Sequence, residues 1–263
     1  MEKTYILKTS DYSFAPYSDG GFSGKILLAT PKKSALPKLL IKSHNPCSAC
    51  NEFMYSRLAE LLDIPSPKVY IMDVATKDAK LFGSPYVAGI EYMDGMHRFS
   101  LEEMRSSPVW KQEYAWQYAL AAMFDQDDRV QLTMRADGHI TGFDFTESFW
   151  LTDLGNTAFQ LSDNQLTDLL IPRLHAMVDH GMSYLSAGGS VVRSHHGLPD
   201  DAPIPDDYLE PMRKLLTVTE DQVLELTDAL HEVYPSSIPV YFEEYIKLLK
   251  KKLAIFLRSL DKA

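Results

Sequence analysis

Several groups of residues in this chain have the types and spacing to handle a phosphorylated ligand. Asp19-Gly-Gly-Phe-Ser-Gly24 is a turn-rich stretch with glycines at Gly20, Gly21 and Gly24. Backbone N–H groups of such a loop can approach phosphate oxygens closely, because no Cβ stands in the way. Lys42 lies inside an apolar run, Leu39-Leu-Ile-Lys-Ser43, and would bring one fixed positive charge to a polyanion. Glu52 follows near the start of a helical pattern and could hold that lysine in place. Downstream comes an acidic run, Asp125-Gln-Asp-Asp128, and then a lone Asp144 between Phe143 and Phe145. A carboxylate in apolar surroundings is costly to bury unless it is paired or bound to a metal. Past a strand end it can hold Mg²⁺, which bridges phosphate oxygens. A second carboxylate in the preceding loop can orient an attacking hydroxyl and take its proton.

Each signal also has a plainer explanation. A lysine near a strand end is commonly a solvated charge. A glutamate at a helix start is favoured by the macrodipole. A glycine-rich stretch can be a hairpin turn, and an acidic run a solvated loop. The order of the parts along the chain favours chemistry: glycine loop, strand lysine, helix glutamate, acidic loop, hairpin, aspartate.

These residues need a scaffold, and the hydropathy pattern supplies one. Thr4–Leu7, Lys25–Thr30, Leu39–Ser43, Lys68–Val74 and Tyr86–Met93 read as strands. Cys50–Leu62 has helical apolar spacing and stops at Pro65. Trp110–Phe124 is a helix dense in aromatics and alanine, whose Trp110, Tyr114, Trp116 and Tyr118 read as core. Leu132–Arg135 and His139–Phe143 flank Asp137-Gly138, a hairpin signal. Helical patterns follow at Asp163–Leu170, Leu174–Ser186, Asp207–Leu215, Glu220–Val233 and Val240–Leu260, with a polar loop over Ala187–Pro205. His195-His196 reads as part of that loop's surface.

The composition narrows the function classes. The 263 residues are enough for one large domain or two lobes sharing a cleft. Asp plus Glu number 36 against 26 Lys plus Arg, a net charge of -10. That balance opposes nucleic-acid binding, which needs basic surface. No apolar run reaches the roughly 18 residues that span a bilayer, so no membrane partner is expected. The N-terminal residues do not look like a signal peptide. The two cysteines, Cys47 and Cys50, fit a reducing compartment, and the expected location is the cytoplasm. They lack the second pair that a zinc site needs. A disulfide between them could shift the helix that carries Glu52.

The segment Asn51-Glu-Phe-Met-Tyr-Ser-Arg-Leu-Ala-Glu-Leu-Leu-Asp-Ile-Pro-Ser-Pro67 resembles a pattern of the HipA-like kinases, specifically their short branch. Phe82-Gly-Ser-Pro-Tyr86 resembles the segment leading into that family's hinge. Asp128-Arg129, then Gln131, then a hairpin and Asp144 resemble its catalytic and metal-binding region, and also the corresponding phosphoinositide-kinase pattern. The resemblance covers roughly residues 20–155. It departs from the family in four places: Asp128 and Gln131 are closer together than in kinases generally, glutamine replaces the metal-binding asparagine, Thr146 replaces the glycine after Phe145, and the glycine loop has no strict G-x-G-x-x-G.

The resemblance implies an α+β, two-lobed, protein-kinase-like fold. Residues 1–88 would be an N-lobe of antiparallel sheet with one helix, and 89–263 a mostly helical C-lobe. It implies an ATP- and Mg²⁺-dependent phosphotransferase acting on a Ser/Thr hydroxyl of a protein. Lys42 would contact the α/β phosphates and Glu52 would pair with it. Asp128 would be the base, with Asp125 and Asp127 as competitors. Gln131 and Asp144 would hold the metal, and residues 84–91, Tyr86 and Val87 among them, would touch the adenine. Ser18 and Ser23 would be sites of self-phosphorylation. A catalytically inactive pseudokinase and a kinase of small molecules or lipid head groups are the alternatives.

Overall fold

The structure is a computed structural model that describes residues 5–17, 26–42, 45–125, 130–149, 151, 170–172, 174, 184–185, 191–192 and 205–260. The glycines at 20, 21 and 24, Ser18, Ser23, Asp127, Asp128 and His195-His196 lie outside the described residues. So do most of the helical patterns at 163–170 and 174–186 and of the loop at 187–205.

Strands β1 (Ile6–Lys8), β2 (Tyr12–Pro16), β3 (Ile26–Pro31), β4 (Leu39–Lys42), β5 (Val69–Asp73) and β6 (Tyr86–Glu91) form one curled sheet in the order β1-β5-β6-β4-β3-β2. Its neighbours are antiparallel except β1, which runs parallel to β5. The sequence pattern does not predict β2. It is an edge strand ending in Pro16, and an edge tolerates the missing N–H.

The register divides the side chains between two faces. Leu40 pairs with Ile90 and Ile41 with Gly89. Leu39, Ile41, Met72 and Val87 therefore share one face, and they form a small core with Tyr12, Ala29 and Phe82. Leu40, Ile71, Ala88 and Ile90 point the other way, into the main core. Lys42 follows Ile41 and so belongs to that second face.

Helix α1 (Pro46–Leu61) packs on that face, against β5 and β6. It starts earlier than the apolar spacing predicts, because Asn45 caps it by accepting from the Ser48 N–H at 2.8 Å and Pro46 fits the first turn. A short α2 (Ala79–Phe82) ends at Gly83, whose φ of +67° is the left-handed conformation glycine adopts freely. Helices α3 (Leu101–Ser106) and α4 (Trp110–Met123) follow, then the hairpin β7 (Gln131–Met134) and β8 (Ile140–Phe143). Further on lie the two-residue strands β9 (Tyr184–Leu185) and β10 (Val191–Val192) and helices α5 (Pro205–Thr217), α6 (Glu220–Val233) and α7 (Ser237–Leu260).

The β7–β8 turn is wider than the two-residue turn expected. Arg135 N–H donates to the His139 carbonyl, which leaves Ala136, Asp137 and Gly138 at the tip, with Gly138 at φ +85°. Helix α4 holds this hairpin. The buried Glu113 accepts from the Ile140 N–H at 2.8 Å and pairs with His139 Nδ1 at 2.5 Å. Gln117 Nε2 and Thr141 Oγ1 both donate to the Pro65 carbonyl, at 2.7 and 3.1 Å. Trp110, Tyr114 and Tyr118 are buried as expected, whereas Trp116 is half-buried and donates to Glu210.

Gly142 on β8 faces α4 so closely that a Cβ there would stand 2.7 Å from Gln117 Oε1 and 3.1 Å from the Phe145 ring. Gly142→Ala should therefore lower unfolding free energy by about 1–3 kcal/mol through overpacking. Urea denaturation checks this.

Candidate active site

Asp144 immediately follows β8, and Lys42 ends β4. The two side chains meet: Lys42 Nζ and Asp144 Oδ1 form an ion pair whose side chains are 15% and 17% exposed. Burial on this scale weakens solvent screening and strengthens the attraction. Gln131, at the start of β7, donates from Nε2 to the other carboxylate oxygen at 3.1 Å. Thr146 Oγ1 lies 3.4 Å from Oδ1. Asp144 has a φ of +66°, a left-handed conformation that aspartate and asparagine tolerate better than most residues. The hairpin thus delivers Asp144 with a turned backbone and a carboxylate aimed at the sheet.

Glu52 stands on α1 and is 1% exposed. Burial pushes its carboxyl up, to about 7, the neighbouring Asp144 adds to the rise, and Lys42 and the Phe145 backbone N–H oppose it. The ion pair that the sequence suggests for Lys42 and Glu52 is formed instead between Lys42 and Asp144, while Glu52 sits within electrostatic reach of both. Its Oε1 has no hydrogen-bond partner among the described residues.

Asp125 lies just past α4, with φ +50° and 1% exposure. A carboxylate so enclosed is poorly placed to meet a substrate hydroxyl. Asp127 and Asp128, the other candidates for that task, fall outside the described residues. The glycine stretch likewise falls outside them, in the connection between the antiparallel β2 and β3, whose last described contact is Tyr17 N–H to the Ile26 carbonyl.

Tyr86 and Val87 are placed differently from expectation. They begin β6, whereas the chain leaves the sheet after Glu91. Val87 is fully buried in the small core on the face opposite Lys42. Tyr86 packs on Tyr234 of α6, with ring centroids 5.2 Å apart. Leu40, Ile71, Ala88 and Ile90 share Lys42's face, and the connector begins at Tyr92, whose N–H bonds to the Lys38 carbonyl. Strand alternation explains the difference, and it becomes usable once the register is known.

Cys47 and Cys50 are buried thiols within α1, not joined in a disulfide. Burial raises the Cys50 thiol far above its ordinary range, and the Tyr234 hydroxyl lies beside it. Thiolate chemistry is suppressed in such a setting. Among the described residues no group of three or more His, Cys, Asp and Glu could hold a metal, and no helix is long and apolar enough to cross a membrane. A surface hollow of about 370 Å³, lined by Asp206, Leu209, Arg213, Leu257 and Leu260, includes none of the candidate residues.

No sequence-family model matches the chain, and no curated protein matches it in sequence. Solved structures do resemble it. The Helicobacter pylori proinflammatory kinase CtkA matches with a TM-score of 0.60 and 8% identity, over 98% of this chain and 99% of that one. A chain of the Shewanella oneidensis HipA, HipB and operator DNA complex matches with a TM-score of 0.40 and 12% identity, over 94% and 67%, and is too distant to bear on the fold. The likeness to CtkA establishes the architecture expected from the sequence, a two-lobed, kinase-like α+β fold.

The raised Glu52 carboxyl predicts a pH dependence of stability. The folded state keeps a proton on Glu52 that the unfolded chain releases near pH 4.5, so this residue costs stability as pH rises from about 4.5 to 7. Glu52→Gln should gain stability relative to wild type across that window, as measured by denaturant unfolding at several pH values. In the native protein Cys47 and Cys50 should resist iodoacetamide and become alkylated on unfolding, which intact-mass analysis reads directly.

Proposed function

We propose that the chain is an ATP- and Mg²⁺-dependent phosphotransferase. The observation that carries this reading is the meeting of Lys42, Asp144 and Gln131 in a fold like that of a kinase. These groups come from β4 and the β7–β8 hairpin, elements that are distant in sequence.

The donor set fits the ion. Asp144 offers a carboxylate and Gln131 an amide, both hard oxygen ligands of the kind Mg²⁺ takes alongside substrate phosphates and water. The ion would supply neutralisation of the charge that spreads over phosphate oxygens during transfer. In this reading Lys42 leaves Asp144 and places its ammonium on the α/β phosphates. Backbone N–H groups at Gly20, Gly21 and Gly24 would serve the phosphates as well. The adenine rests on the Leu40 and Ile90 side of the sheet, next to the Tyr92 connector. Asp128 takes the proton of an attacking hydroxyl as its oxygen bonds to the γ-phosphorus and the bond from phosphorus to the β,γ-bridging oxygen breaks. The acceptor class proposed is a Ser/Thr hydroxyl of a protein, on the resemblance to HipA-like kinases alone, and the site of action proposed is the cytoplasm.

Thermal melting gives the first test. A ligand that binds only the folded chain stabilises it, by about 2.7 kcal/mol at a hundred times its Kd. ATP with MgCl₂ should raise the melting temperature of wild type. Asp144→Asn, which suits the same left-handed backbone, should lose the Mg²⁺-dependent part of the rise. Asp128→Ala should keep the rise and lose phosphate transfer to a generic protein acceptor. A rise in wild type with no transfer would assign a pseudokinase that binds nucleotide, and no rise with any nucleotide would reject the reading.

A further inference from the structure

We infer that Asn51 is a positioning residue for Asp144, acting through the backbone of the segment that follows it. The inference rests on the metal-binding role proposed above for Asp144. Asn51 is 1% exposed and lies on α1 directly before Glu52. Its Nδ2 donates to the Thr146 carbonyl at 2.8 Å and to the Leu151 carbonyl at 3.2 Å. One side-chain amide thus closes the turn from Thr146 to Leu151 and ties it to the helix.

Two neighbours on α1 grip the same segment. Glu52 lies beside the Phe145 backbone N–H, which favours its charged form. Tyr55, one turn further on, stacks on the Phe145 ring at 3.7 Å with the planes 4° apart. The other end of the segment is held independently, since Phe149 N–H donates to the Phe124 carbonyl at 2.6 Å and Tyr241 donates to the Phe149 carbonyl. Asp144 itself precedes all of these holds, and its left-handed backbone must be kept in place from the C-terminal side. Asn51 fixes the Thr146 carbonyl, two residues beyond Asp144.

A packing role alone does not account for this residue. Asn51 keeps its Oδ1 buried with no hydrogen-bond partner among the described residues. An unpartnered buried oxygen is a standing cost, which an apolar residue of similar size would avoid. What the amide provides that an apolar residue lacks is its pair of N–H donors, both directed at the segment after Asp144.

The test separates positioning from stability. The wild type, Asn51→Ala and Asn51→Ser are melted with ADP in EDTA and then across a MgCl₂ titration. Residues that orient metal ligands typically change metal affinity by about 10- to 100-fold when removed. The expected result is a rise of that order in half-saturating Mg²⁺ for Asn51→Ala, with the ADP shift in EDTA retained. Asn51→Ser, which keeps one donor, should fall between the two. A lowered melting temperature with unchanged half-saturating Mg²⁺ would overturn the inference and leave Asn51 as a structural tether. Should the alanine variant fail to fold, the serine variant decides by the same readout. If wild type itself shows no Mg²⁺-dependent shift, the phosphotransferase reading fails first, and the inference falls with it.

Discussion

Helix α1 is buried from Cys47 to Ala59, so the polar side chains along that stretch find their partners in the protein, with Asn51 Oδ1 and Glu52 Oε1 left without one among the described residues. The organisation of the site follows from this constraint. Ser56 donates to the Pro67 carbonyl, and Arg57 reaches Tyr5 and Glu60, so the second half of the helix is tied to the chain that enters β5 and to the sheet edge. Asn51 and Glu52, in the first half, turn to the segment after β8. A helix with water on one side could leave these groups solvated. Enclosed on all sides, it draws the Asp144 segment to itself, and the sheet and the hairpin become parts of one assembly.

The charges of the site are arranged by the same enclosure. Two carboxylates, Glu52 and Asp144, share the neighbourhood of one lysine, which cannot neutralise both. Lys42 pairs with Asp144, and Glu52, fully enclosed, has its carboxyl raised toward neutrality. Burial is the main cause of that rise; Asp144 adds to it and Lys42 opposes it. If a polyanion with its metal draws Lys42 away and occupies Asp144, the electrostatics of Glu52 must change as well. The helix that carries Glu52 also carries Asn51, so charge and geometry at Asp144 are coupled through a single element.

Much of this fold is legible in the sequence, because its signals are local. The Glu220–Val233 helix is read from its helical pattern, and the structure places it at the same boundaries and adds a capping box at Thr219 and Gln222. The Asp137-Gly138 signal locates the hairpin, though Gly138 alone takes the positive φ and the turn is one residue wider. Lys42, Glu52, Gln131 and Asp144 are recognisable as candidates by type and order. The β2 strand is not, since Pro16 and a short alternation carry little local signal. The start of α1 is missed because it is set by the cap at Asn45 and by Pro46, while apolar periodicity marks only its interior.

The pairing within the site belongs to the tertiary structure. A sequence specifies which side chains are charged and which faces of its elements are apolar, since these depend on residue type and on the periods of helix and strand. It does not specify which carboxylate reaches Lys42, because that depends on where a hairpin from one end of the fold docks against a strand from the other. Nor does it say which of Val87 and Ile90 shares Lys42's face, because a shift of one residue in register would exchange them. Asn51 opens the segment that resembles the HipA-like pattern, but the chain does not say what its amide bonds. Its two carbonyl partners are distant in sequence, and only the packed helix brings them within reach of one amide.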